Sequence, residues 1–90
     1  MSVEQAQRSV NQIDKDIADL EKKMADLVKK EADKTKRIGD VQRSITKNTS
    51  QSTYQSKMRQ IQNYQKELSK ILTDKANINQ KLADKRKKRV

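Results

Sequence analysis

The chain has 90 residues, of which 31% are apolar and 38% charged, with a formal net charge of +10 at neutral pH. It contains no cysteine and no histidine, which removes disulfide frameworks, thiolate zinc sites and the commonest catalytic base. No run approaches the ~20 apolar residues of a membrane span, and no apolar stretch of about 7–15 residues marks a signal peptide at the N-terminus. A non-enzymatic chain without a cofactor or metal, located in the cytoplasm, is therefore expected.

Six of the 28 apolar residues are alanine, and Tyr54 and Tyr64 are the only aromatics. Such a set is too thin for a monomeric globule with its own core. The absence of proline, a single glycine and an abundance of Lys, Gln, Asp and Ala favour helices over a sheet. The expected fold class is all-α, an antiparallel helical hairpin of coiled-coil type that completes its burial by forming an oligomer.

The first element is read from spacing. Val3, Ala6, Val10, Ile13, Ile17, Leu20, Met24, Leu27, Glu31, Lys34, Ile38, Val41 and Ile45 follow one another at alternating three- and four-residue steps. This is a heptad seam, the pattern of one helix lying against another, and it predicts a helix over 3–45 about 65 Å long. Glu31 and Lys34 interrupt it. Polar inserts of this kind fix register or oligomer state, but more commonly a seam charge snorkels to water. Gly39 costs about 1 kcal/mol relative to alanine and marks either a close backbone approach or an incidental glycine.

A turn is predicted over 46–52. Seven of the ten residues in SITKNTSQST (44–53) are Ser, Thr or Asn, whose short side chains compete for backbone hydrogen bonds. Asn48 suits the left-handed conformation that ends a helix. Ser50 or Ser52 suits the cap of the next one, and Ser52 with Gln55 fits the capping-box spacing. A break is also required by the apolar face, which shifts by two residues, or about 200°, beyond this segment.

The second helix is predicted over 53–89. Tyr54, Ile61, Leu68 and Leu82 occupy one heptad position and Tyr64, Ile71 and Ile78 the other, with Met58 and Leu72 on one flank and Lys57 and Lys75 as breaks. Folding back about residues 48–50 pairs positions whose numbers add to about 99, which sets Ile45 beside Tyr54, Val41 near Met58, Ile38 near Ile61, Leu27 near Leu72, Leu20 near Ile78 and Ile17 near Leu82. The same register places Asp40 near Lys57, Asp33 near Lys66 and Asp14 near Lys85. Val28, Met58, Leu72 and the stretch from Val3 to Val10 are left as an apolar edge for a further copy. The tyrosines belong to the core stripe, the alternative being a ligand contact.

Charge is divided unevenly. Residues 1–40 are balanced, and the whole excess of +10 lies in residues 41–90. Such a field attracts nucleic acid, anionic lipid or an acidic protein without specificity. The KRKKR run at 85–89 reads either as a polybasic patch or as a solvated helix surface. It carries no helix stop, and Val90 reaches back only to about Ser9, so the 90 residues are expected to be part of a longer polypeptide. Asp14, Asp16 and Asp19 lie among lysines without a pocket, which is not a catalytic arrangement.

The string VQRSITKNTSQSTY at 41–54, followed by SKMRQIQNYQKE, resembles the N-terminal coiled-coil region of some bacterial TIR-domain (Toll/interleukin-1 receptor-like) proteins. The matching positions are Gln42, Ser44, Ile45, Lys47, Thr49, Ser50, Ser52 and Thr53; Gln51 departs from a proline common there, and the likeness covers roughly residues 40–82. The resemblance implies a coiled coil that gathers NAD⁺-cleaving TIR domains in antiphage defence or effector proteins, with every catalytic residue outside this chain. The expected function is thus a non-catalytic oligomerisation scaffold. Alternatives are a free-standing basic hairpin that binds nucleic acid or an acidic partner, and, third, a helical-hairpin secretion partner of the WXG100 type, which lacks its W-x-G turn here.

Overall fold

A computed structural model of the chain describes residues 2–89. Two helices, α1 (Val3–Ser44) and α2 (Gln51–Arg89), pack against each other as a helical hairpin. The chain divides into two compact units, one made of Met1–Leu27 with Asp74–Val90 and one of Val28–Thr73.

Local chemistry sets the helix ends. Ser2 and Gln5 form a complete capping box: the Gln5 N–H donates to Ser2 Oγ at 3.2 Å and the Ser2 N–H to Gln5 Oε1 at 3.3 Å. Two amides that lack helical partners are thereby satisfied. At the other end of α1, the Ser44 hydroxyl donates to the Val41 carbonyl at 2.6 Å, and the Ile45 N–H turns back to the Gln42 carbonyl at 3.2 Å. This tightening ends the helix one residue before the predicted limit and leaves Ile45 in the connection.

The turn is shorter than predicted. The Thr46 N–H donates to Thr49 Oγ1 at 2.8 Å and the Thr49 N–H to the Thr46 carbonyl at 3.1 Å. These reciprocal bonds close the bend with ordinary backbone angles. Among the described residues no non-glycine adopts a positive φ, so Asn48 is not the left-handed residue expected of it. Ser50 is the cap of α2, its Oγ accepting from the Thr53 N–H at 3.3 Å and its carbonyl from the Tyr54 N–H at 2.8 Å. Ser52 therefore lies inside the first turn, and the predicted box with Gln55 does not form.

In the unit 28–73, Ile61 and Ile71 are buried, and Ile38, Val41, Ile45, Met58, Tyr64 and Leu68 are half-buried. In the unit that joins residues 1–27 to 74–90, Leu82 is buried, with Val10, Ile13, Ile17, Leu20, Met24, Leu27 and Ile78 half-buried. No described residue of α1 is fully buried. Two helices share a single line of contact, so a seam side chain stays open to solvent at the sides of the cleft. Tyr54, expected in the core, is 45% exposed, because it follows the turn immediately and Ile45, its expected partner, has left the helix.

The register is antiparallel, as expected, but offset. The partners Lys34 and Glu67, Ser44 and Lys57, and Asp16 and Lys85 carry numbers that add to 101. Helical side chains lean toward the N-terminus of their own helix, so each covers a spot about one residue behind its Cα. In an antiparallel pair the two leans add, which accounts for an offset of about two from the backbone estimate. The three predicted charge pairs consequently do not form. Asp33 takes Arg37 at 2.9 Å and Asp40 takes Arg43, each on its own helix, while Asp14 takes Arg89 at 2.9 Å.

A Cβ at Gly39 would meet only the Arg43 guanidinium, at 3.6 Å, an ordinary contact. Gly39→Ala is expected to raise stability by about 0.5–1 kcal/mol, seen as a higher midpoint in thermal circular dichroism; a lower midpoint would show that the backbone does need glycine there. Ser50→Ala is expected to lower stability by about 1 kcal/mol through loss of the cap, checked by urea denaturation.

Candidate functional site

The largest departure from an ordinary solvated surface lies along one flank of the unit 28–73. Val28 and Leu72 are 48% and 50% exposed. Each follows a seam residue, Leu27 or Ile71, by one position, and on antiparallel helices that position falls on the same side of the pair. Val28, Ala32, Thr35 and Gly39 continue the row on α1, and Met58, Gln65, Ser69 and Leu72 make the matching row on α2. Neither row holds a charged side chain. Thr35 donates its hydroxyl to the Glu31 carbonyl at 2.9 Å, which leaves its methyl group as the outward contact. Elsewhere Val3 is 86% exposed, Ala6 is exposed and Val10 is half-buried, as the sequence led us to expect.

A polar cluster crosses the cleft in the same unit. Lys34 Nζ lies 2.9 Å from Glu67 Oε2 and 5.5 Å from the centre of the Tyr64 ring. Lys34 thus bridges to α2, where the sequence favoured a charge reaching into water. Arg37 is held above its usual pKa, first by the hydrogen bond to Asp33 and then by Tyr64. Tyr64 is half-buried, with Lys34 over its ring. A partly exposed pair of this kind contributes little stability, but it selects orientation and register.

Lys57 donates from Nζ to the Ser44 carbonyl at 2.9 Å. Read as a break in the apolar stripe, it is instead a cap for the C-terminal carbonyls of α1.

The unit made of residues 1–27 and 74–90 is tied by charge. Lys85 meets Asp16 at 3.2 Å, Arg86 meets Glu21 at 3.7 Å and Arg89 meets Asp14 at 2.9 Å. Three of the five cations in the KRKKR run therefore turn toward α1. Gln12 Nε2 donates to Asp16 at 2.9 Å, and this bond, followed by that from Lys85, holds the Asp16 carboxyl below its ordinary pKa. A shallow groove is lined by Asp16, Asp19, Leu20, Lys23, Lys81 and Lys85, acids and bases set side by side. Among the described residues no His, Cys, Asp or Glu cluster could hold a metal, and no helix is long and apolar enough to cross a membrane.

Some of these features had a sequence signal. Ser2 and Gln5 have the capping-box spacing at the head of the seam, and the meeting of Asp16 with Lys85 follows from the register once side-chain lean is included, whereas those of Asp14 with Arg89 and Glu21 with Arg86 do not. The Lys57 cap had none. In comparison with known proteins, the chain matches no family model, no curated protein and no solved structure.

Because the Asp16 pKa is lower folded than the unfolded value of about 3.9, its contribution is fully present above pH ~4 and is lost as pH falls through the folded pKa. Asp16→Asn is expected to lower the thermal midpoint at pH 7 and to change it little near pH 2. Equal decrements at both pH values would show that the ionised carboxylate does not stabilise the hairpin.

Proposed function

We propose that the chain is a non-catalytic self-association module whose hairpins lie side by side along the flank of Val28, Ala32, Thr35 and Gly39 on α1 and Met58 and Leu72 on α2. One observation carries this reading: α1 presents a long apolar seam and buries none of its described residues completely. The accessible area supports it. The chain exposes 7214 Å², against about 5,400 Å² for a compact folded monomer of this mass, and Val3, Val28, Tyr54 and Leu72 are large apolar side chains left exposed. The uncharged positions Val28, Ala32 and Thr35 avoid the desolvation penalty that a salt-laced face would carry, and Ala32 allows close approach, while at Gly39 the Arg43 guanidinium borders the flank. A second copy is the natural occupant, since it offers the same uncharged row in a self-complementary arrangement.

The resemblance of roughly residues 40–82 to the coiled-coil region of bacterial TIR-domain proteins supports a more specific role. In a polypeptide of that design, association of the hairpins gathers NAD⁺-cleaving domains, which act in antiphage defence or as effectors, while the hairpin itself does no chemistry.

Sedimentation of the purified chain across concentrations tests the proposal. The wild type is expected to gain mass with concentration. The double variant Val28→Lys, Leu72→Lys is expected to stay monomeric with its helicity retained, because both positions lie beside the seam. Leu20→Asp and Ile61→Asp, which place a charge in the seam, are expected to lower helicity and oligomer mass together. A wild-type chain that remains monomeric to high concentration and melts in one sharp, cooperative step would overturn the assembly.

A further inference from the structure

We propose that the outer face of α2 in the unit 28–73 binds the phosphate backbone of nucleic acid through Arg59, Lys66 and Lys70, independently of the self-association described above. Net charge alone does not say where a polyanion would lie, and the structure changes the answer that the sequence suggests. The densest basic run, 85–89, is partly neutralised by Asp14, Asp16 and Glu21 of α1. Arg59, Lys66 and Lys70 are instead exposed. Among the described residues they make no ion pair or hydrogen bond.

Their spacing of seven and four residues keeps them on one face, about 140–180° around the helix from buried Ile61 at 3.6 residues per turn. Asn63 lies between them on that face and Thr73 just beyond Lys70; of the acids at its edge, Glu67 is drawn across the cleft to Lys34 at 2.9 Å, and Asp74 stands past the end of the row. A row of cations interleaved with amide and hydroxyl groups is the chemistry that contacts phosphate oxygens. The outward lysines of α1 show the contrast. Lys22, Lys29 and Lys36 stand seven residues apart, with Asp26 between the first two and Asp33, which pairs with Arg37 at 2.9 Å, between the others, so that row carries acids of its own. An anionic membrane is less well matched, because an interfacial helix inserts large apolar side chains next to its basic residues, and Leu72 lies on the other side of α2, beside the seam. With no aromatic on the face to stack on bases, binding is to the backbone and independent of sequence.

The test is a fluorescence-anisotropy titration of the full chain against a labelled 20-base-pair DNA duplex of mixed sequence at several salt concentrations. Arg59→Gln, Lys66→Gln, Lys70→Gln is expected to weaken binding about tenfold or more near 100 mM salt and to make the log–log salt slope shallower by about 2–3. The charge-matched control Lys22→Gln, Lys29→Gln, Lys36→Gln is expected to lose less than about threefold. Circular dichroism checks that both remain helical, as solvent-facing substitutions should. Equal losses in the two triple variants would overturn the proposal in favour of diffuse attraction by net charge. So would a wild type that does not bind the duplex, or one that binds phosphatidylserine vesicles but not the duplex.

Discussion

A pair of helices meets along one line, and every residue on that line remains open at the sides of the cleft. This limit governs the molecule. Ile61, Ile71 and Leu82 are buried, all on α2, and α1 contributes a seam of half-buried side chains. The hydrophobic gain per seam residue is correspondingly a fraction of the roughly 1.5–3 kcal/mol that full burial of a large aliphatic side chain supplies. Helix formation itself, capping and ion pairing carry a larger share of the specification than they would in a domain with a deep core.

The polar residues make that division of labour visible. Around the bend, Thr46, Thr49 and Ser50 satisfy backbone groups that the helices leave open, and Lys57 closes a carbonyl at the end of α1. None of these bonds is strong singly, yet together they determine where each helix stops and therefore which residues can face each other. Lys34, with Glu67 and the Tyr64 ring, then marks one alignment of the helices in the unit 28–73. In the unit formed by residues 1–27 and 74–90, Asp14, Asp16 and Glu21 serve the same purpose against the basic end of α2.

Charge is redistributed by this pairing. The excess of +10 is a property of the second half of the sequence, but three of the five cations in its densest run meet acids, while Arg59, Lys66 and Lys70 are left facing outward on a stretch whose one acid, Glu67, is drawn to Lys34. The uncharged flank and the basic face lie on different sides of α2, so an apolar partner and a polyanion would not compete for the same surface.

Much of the fold was legible in the primary structure. The three- and four-residue spacing from Val3 to Ile45, the phase shift near Tyr54 and the cluster of hydroxyl residues between them require two helices and a bend, because a face displaced by about 200° cannot stay buried on one straight helix. The exposure of Val28 and Leu72 also followed from their place beside the seam. Asn48 and Ser52 behaved differently from expectation because Thr46, Thr49 and Ser50 supply the turn and cap bonds, several neighbouring residues having suitable spacing, and Tyr54 because Ile45, its expected partner, lies outside α1. Periodicity thus determined the elements, their antiparallel order and the location of the uncharged row. Only the tertiary structure decided which charges meet, since long side chains lean and reach past the position directly opposite, and Asp33 and Asp40 find cations three or four residues along their own helix instead.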